Sequence, residues 1–285
     1  MSDPSSVPKR VFPTARRDAA VAEQVSTSPQ TESTAYRLAF QDADFLLRED
    51  LRPVRFQLEL LKPEILLEEA NIGSTFVFYG SARIPSPDAA QTLVDAAATP
   101  VQQRIAERLA AKAKYYDEAR KLAQFASQCG CDDDKRQFVV CSGGGPSIME
   151  AANRGAADVG APSIGLNIVL PHEQLPNPYV TPGLSLQFHY FALRKMHFLL
   201  RARAVAVFPG GFGTFDESFE LLTLVQTGKV APMPILFFGK EFWNRVVNFD
   251  ALVEEGVISP NDLNTFRFVE TADEAWEIVR AHYGI

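Results

Sequence analysis

Cysteine is scarce in this chain. The three present, Cys129, Cys131 and Cys141, are an odd number, which argues against a disulfide framework and fits a reducing compartment. Cys129-Gly130-Cys131 lacks the two-residue spacer of the common redox and zinc motifs, and no second Cys/His pair lies nearby. The thiols therefore read as structural, and no acidic cluster with ligand spacing suggests a metal. Long apolar runs are missing too. No stretch approaches the roughly 20 residues of a membrane helix. Residues 1–30, rich in Ser, Pro, Thr and charge, lack the apolar core of a secretory signal. Arg10, Arg16 and Arg17 hint at a transit peptide, but Asp3, Asp18 and Glu23 oppose that reading. A basic excess is absent as well. With a formal net charge of -7, a general affinity for a nucleic-acid polymer is not expected, because neutralising its phosphates needs a basic surface. One mononucleotide can still be held by local dipoles and an arginine or two. The expectation is a soluble cytoplasmic protein with neither a membrane nor a nucleic acid as partner.

What is present is an ordinary globular composition. The 285 residues are 46% apolar and 22% charged, enough for a substantial core. Residues 1–30 are expected to be disordered. Residues 31–73 form a helical extension: Leu38, Phe40, Phe45, Leu46, Leu58, Leu61, Ile65 and Leu66 recur at roughly helical spacing, interrupted by Pro53 and Pro63. The extension packs against the main domain or against a partner subunit. From residue 74 to 285 short apolar runs alternate with helical patterns. The runs are 75–79, 138–141, 163–168, 186–188, 204–208, 234–238 and 266–269. Helical patterns cover 100–127, 147–159, 192–202, 215–227, 242–255 and 272–282. Strands apolar on both faces and alternating with helices predict an α/β fold: a Rossmann-like, doubly wound parallel sheet with helices on both faces.

In such folds ligands sit beyond the carboxyl ends of the strands, where the strand order reverses. Three runs end in small-residue turns: Gly80-Ser81-Ala82-Arg83, Gly143-Gly144-Gly145, and Gly210-Gly211-Phe212-Gly213-Thr214. The third is the most specific. Its glycines allow close backbone approach, and the helix expected from about Thr214 aims free N–H groups and a positive dipole end at the same spot. A phosphate is the natural occupant, with Thr214 donating its hydroxyl or capping the helix. The bland alternative is a plain strand-to-helix turn, with Asp216-Glu217 placed where the dipole favours acids. Neither glycine turn has the dinucleotide fingerprint spacing or a Walker lysine, so NAD and ATPase readings are weak. Arg194-Lys195, just before the run 204–208, is either a solvated helix face or an anion-binding pair.

Three segments in order carry a resemblance. Ser142-Gly143-Gly144-Gly145-Pro146-Ser147-Ile148-Met149-Glu150-Ala151-Ala152-Asn153-Arg154-Gly155-Ala156, then Leu193-Arg194-Lys195-Met196, then Pro209 to Glu217, resemble the signature set of the LOG family. These are cytokinin riboside 5'-monophosphate phosphoribohydrolases, long labelled lysine decarboxylases, and their bacterial relatives include AMP-hydrolysing members. The resemblance spans about residues 75–255, and the N-terminal region is similar to that of the longer bacterial members.

The resemblance implies cleavage of the N-glycosidic bond of a purine nucleoside 5'-monophosphate, adenine or N6-substituted adenine, to free base and ribose 5-phosphate. It assigns catalysis to Arg194 and Glu217. Gly210, Gly211, Gly213 and Thr214 would anchor the phosphate. Ser81, Arg83 and Lys195 would add to nucleotide binding, and Gly144, Gly145, Met149 and Asn153 would line the ribose and base region. It implies a homodimer or higher homo-oligomer and needs no cofactor and no metal. Departures are Phe215-Asp216 for the usual Leu-Glu, and Phe191-Ala192-Leu193 where Met-His normally precedes the Arg-Lys pair, which puts the identity of the base in question. A Schiff-base decarboxylase would need a cofactor site around Lys195, and none is legible. The alternative is a non-catalytic carrier of a nucleotide or of molybdenum cofactor.

Overall fold

The computed structural model describes residues 12–129, 131–132, 134–171 and 175–285. The chain divides into two compact units, residues 1–58 and 59–285. In the first, Thr14 caps helix α1 (Ala15–Ala22), whose residues are all at least partly exposed, and Asp42 caps the short α2 (Ala43–Leu46). The boundary falls within α3 (Arg52–Glu69).

The interruption expected at Pro53 falls at the start of α3, but the one expected at Pro63 does not occur, since α3 runs through it. Pro53 sits in the first turn, where a missing N–H costs nothing. Pro63 leaves the Glu59 carbonyl without its helical donor. That carbonyl is instead 3.1 Å from His197 Nε2. Burial holds the His197 imidazole below its usual range, so the neutral ring donates through Nε2.

Residues 59–285 contain a seven-stranded sheet whose neighbours all pair in parallel. Its strands are β1 (Thr75–Tyr79), β4 (Val139–Ser142), β5 (Ser163–Ile168), β6 (Ser185–Phe188), β7 (Ala202–Val207), β8 (Ile235–Phe238) and β9 (Arg267–Val269). A small antiparallel hairpin, β2 (Cys131–Asp132) with β3 (Lys135–Arg136), lies outside it. The order is β6-β5-β4-β1-β7-β8-β9. The chain leaves β1 toward one edge, then returns to build β7 on the other side of β1. The order therefore reverses between β1 and β7, and the crevice for a ligand opens there.

Strand alternation divides the core in two. Phe76, Phe78, Val140, Ala204, Ala206 and Phe238 face α6 (Lys114–Ser127), α7 (Ile148–Asp158) and α12 (Ala272–Tyr283). Val77, Tyr79, Cys141, Val205, Val207 and Phe237 face α8 (Phe191–Leu200), α9 (Phe212–Gln226) and α10 (Lys240–Val246). Each buried Phe on these faces contributes about 1.5–3 kcal/mol relative to an exposed one. Helices α6 and α7 close on one another at Gly155, where a Cβ would lie 2.1 Å from the Arg120 carbonyl.

Element boundaries differ from expectation where a turn interrupts a helical pattern. The pattern over 100–127 is two helices, α5 (Pro100–Ala110) and α6, and α4 (Pro87–Asp95) precedes them. The pattern over 242–255 breaks at Asn248, whose side chain caps α11 (Phe249–Glu254) through the Ala251 N–H at 3.1 Å. Helix α9 starts at Phe212, two residues earlier than expected. No described helix is long and apolar enough to cross a membrane.

Candidate active site

The three glycine turns meet at the crevice between β1 and β7 and are stitched together by backbone bonds. Ser81 N donates to Pro209 O (3.1 Å), and Ile148 N donates to Ser81 O (3.4 Å). Gly80 allows this closeness, because a Cβ there would lie 2.6 Å from Ile148. Gly144 takes the left-handed conformation (φ 73°) that glycine tolerates best.

At the third turn Gly211 is the N-cap of α9 in an extended conformation. No side chain among the described residues caps the helix, so its first N–H groups point into the crevice unclaimed. Thr214 is buried, not capping, and packs so closely on Gly210 that a Cβ there would lie 2.1 Å from Thr214 Oγ1. The early start of α9 puts Glu217 in the second turn, beyond the stretch where the helix dipole alone would account for an acid.

Glu217 faces Arg194 from α8. Arg194 Nη1 is 3.4 Å from Glu217 Oε1, and the two side chains are only 11% and 14% exposed. Arg194 Nε donates to the Leu166 carbonyl within β5 at 2.7 Å. Burial is the largest influence on Glu217. Arg194 and Lys195 oppose it, Asp216 and Glu220 reinforce it, and the carboxyl is raised to about 7. Nearby Tyr79 and Cys141 are buried and pushed upward in turn, so both stay neutral.

A cavity of about 780 Å³ opens over this constellation. Ser81, Arg83, Met149, Arg194, Gly211, Gly213, Thr214 and Glu217 line it, together with Gly80, Ala82, Phe212, Phe215 and Val246. The last five were given no individual role, though Gly80, Ala82, Phe212 and Phe215 lie within the turns and motif singled out in the sequence. Phe212 lies inside the glycine motif and was legible there, whereas Val246 ends α10 and carries no local signal. The lining does not include Gly144, Gly145, Asn153, Lys195 or Gly210. Gly210 and Gly144 shape the turns behind the wall. Asn153 is fully buried and bonded to Ser142, Ile164 and Asn177. Lys195 pairs with Asp216 and Glu220, each at 3.1 Å.

A second groove, of about 480 Å³, lies along α8, α9 and residues 230–233. It is lined mainly by Met196, Leu200, Leu224, Pro232 and Met233 and lacks the converging turns. Among the described residues no group of three or more His, Cys, Asp or Glu is placed to hold a metal ion.

Residues 149–279 match the family model described as "Possible lysine decarboxylase". A probable cytokinin riboside 5'-monophosphate phosphoribohydrolase, LOGL3 of Oryza sativa subsp. japonica, is 29% identical over 168 residues, covering 57% of this chain and 74% of that protein. The cytokinin riboside 5'-monophosphate phosphoribohydrolase LOG7 of Arabidopsis thaliana is 28% identical over 151 residues, 52% of this chain and 66% of that one. The molybdenum cofactor carrier protein of Chlamydomonas reinhardtii is a solved structure with 12% identity and a TM-score of 0.40, covering 74% of this chain and 99% of that chain. Its likeness is too slight to bear on function. The family match and the curated relatives agree with the resemblance carried by the ordered motifs: the chain is similar to the LOG family.

Proposed function

We propose that this protein hydrolyses the N-glycosidic bond of purine nucleoside 5'-monophosphates. The observation that carries the reading is the buried Glu217 carboxyl, 3.4 Å from Arg194, opening on the same cavity as the uncapped N-terminus of α9. The α9 N–H groups and the Gly211–Thr214 backbone hold the 5'-phosphate, with Arg83 at the rim. The ribose then lies toward Glu217. As the bond from C1' to the base nitrogen breaks, its electron pair leaves with the base and the ribose becomes oxocarbenium-like. Ionised Glu217 stabilises that cation and accepts a proton from the attacking water, whose oxygen bonds to C1'. The base takes up a proton from solvent, so that water is divided between free base and ribose 5-phosphate. Arg194 keeps the carboxylate oriented and lowers the cost of ionising it in a buried place.

The named activity of the LOG relatives supports this chemistry. The carrier reading explains the glycine turns but gives the buried Arg194–Glu217 pair no task. AMP and adenosine, each incubated with pure protein and followed by chromatography, test the proposal. Adenine should appear from AMP and not from adenosine. No base released from any purine monophosphate would overturn it.

A further inference from the structure

The Pro-rich segment before β6 reads in sequence as irregular, yet Asn177 within it is buried and directed at the glycine turn after β4. Its backbone N–H donates to the Gly144 carbonyl at 2.8 Å. Its side-chain Nδ2 reaches the carbonyls of Gly144 (3.1 Å) and Gly145 (3.0 Å) and Asn153 Oδ1 (2.9 Å). Asn177 Oδ1 accepts from Tyr179 N at 3.2 Å, so both ends of the amide are engaged. Asn153 Oδ1 also accepts from Ser142 Oγ (2.7 Å), and Ser142 Oγ accepts from Gly144 N (3.1 Å). The turn is thus held from both sides by a closed buried network. Such networks are rigid when every member is satisfied.

That rigidity reaches the Arg194–Glu217 pair through one contact. A Cβ on Gly143 would lie 2.6 Å from Arg194 Nη2 and 2.8 Å from Met149 Sδ, so the guanidinium rests against bare backbone at Gly143. One edge of Arg194 is fixed by the Leu166 carbonyl, another by this turn, and the remaining nitrogen faces Glu217.

We infer that Asn177 is a positioning residue: it clamps the Gly143–Gly145 turn so that Arg194 is held against Glu217. The role it serves in catalysis rests on the proposed hydrolase reading, but the geometric claim does not. Removing Nδ2 takes a bond from three acceptors: Gly144 O keeps the Asn177 N–H and Asn153 Oδ1 keeps Ser142 Oγ, but the Gly145 carbonyl loses its donor and the side-chain link between the segment and the turn is cut. The turn loosens, and the Arg194 guanidinium withdraws from the carboxylate.

The test uses the full chain as wild type, Asn177→Ala and Asn177→Ser, each with 13Cδ-labelled glutamate. The Glu217 resonance is assigned by its loss in Glu217→Gln. Because Arg194 favours the ionised carboxylate, its withdrawal should raise the Glu217 titration midpoint by about one pH unit in both variants. With AMP, kcat should fall by up to about 10²-fold and KM should change little, as expected when a catalytic group is misplaced by about 1 Å. Folded variants that titrate like the wild type would overturn the inference. Unfolding of both would also overturn it, by making Asn177 a residue of the fold alone. A wild-type protein that releases no base would defeat the hydrolase reading, while the titration would still decide the role of Asn177.

Discussion

Arg194 Nη1 lies 3.4 Å from Glu217 Oε1, with both side chains largely withdrawn from water. The two come from different helices, α8 and α9, 23 residues apart. A buried pair of this kind is seldom a device for stability, since desolvation offsets most of the attraction. Its consequences for chemistry can be measured.

Glu217→Gln should lower kcat for AMP hydrolysis by about 10³-fold or more while AMP still binds, because the phosphate site is built from backbone N–H groups. Calorimetric titration beside a turnover assay checks this. Equal loss of binding and turnover would assign Glu217 to holding the substrate.

The carboxyl is raised to about 7, so it is protonated below that pH and ionised above. As the ionised form is the active one, kcat/KM should rise with pH through about 7 and level off above. A profile that falls through the same range would make Glu217 a general acid.

Stability should carry the opposite dependence. The folded state keeps this proton up to about 7, whereas the unfolded chain releases it near 4.5. Between those values the folded form binds more protons, so its stability falls as pH rises. Glu217→Gln removes that fall. Its stability relative to wild type should therefore grow between pH 4.5 and 7, by at most about 3 kcal/mol. Urea unfolding at pH 5 and pH 8 tests the sign, and a constant difference would refute burial as the cause.

Two glycine substitutions should separate fold from function. In Gly143→Ala the new Cβ meets the far ends of flexible side chains, Arg194 Nη2 and Met149 Sδ, so the fold should persist while kcat drops. In Gly210→Ala it meets Thr214 Oγ1 at 2.1 Å on a short, buried side chain, so stability should fall by about 1–3 kcal/mol. Thermal melts and kinetics on both variants report the contrast.

Phe212 is 97% exposed yet lines the cavity. Phe212→Ala should leave stability within about 0.5 kcal/mol and raise KM for the nucleotide. Unchanged KM would remove Phe212 from substrate contact.

The α/β architecture was legible because each central strand is buried on both faces and therefore uniformly apolar, as in Phe76-Val77-Phe78 and Ala204-Val205-Ala206. The boundaries that differed lie where local pattern and tertiary context compete. Pro63 reads as a helix breaker, but the carbonyl it frees is taken by His197, 138 residues from Glu59. Of the site, the residues in the glycine turns and the Arg194–Glu217 pair were readable from motif and order. Asn177 was not, since its partners at Gly144 and Gly145 lie 33 and 32 residues away and leave no periodic trace.

By itself the sequence determined the alternation of strands and helices, the three small-residue turns and the absence of a dinucleotide or Walker motif, because each is a local property of residue type and spacing. Only the tertiary structure decided that α9 begins at Phe212, that Glu217 is buried and therefore raised to about 7, and that Asn153 braces a turn behind the cavity wall. Burial and hydrogen-bond satisfaction depend on what the rest of the chain brings alongside a residue, and that is set by the packing of elements distant in sequence.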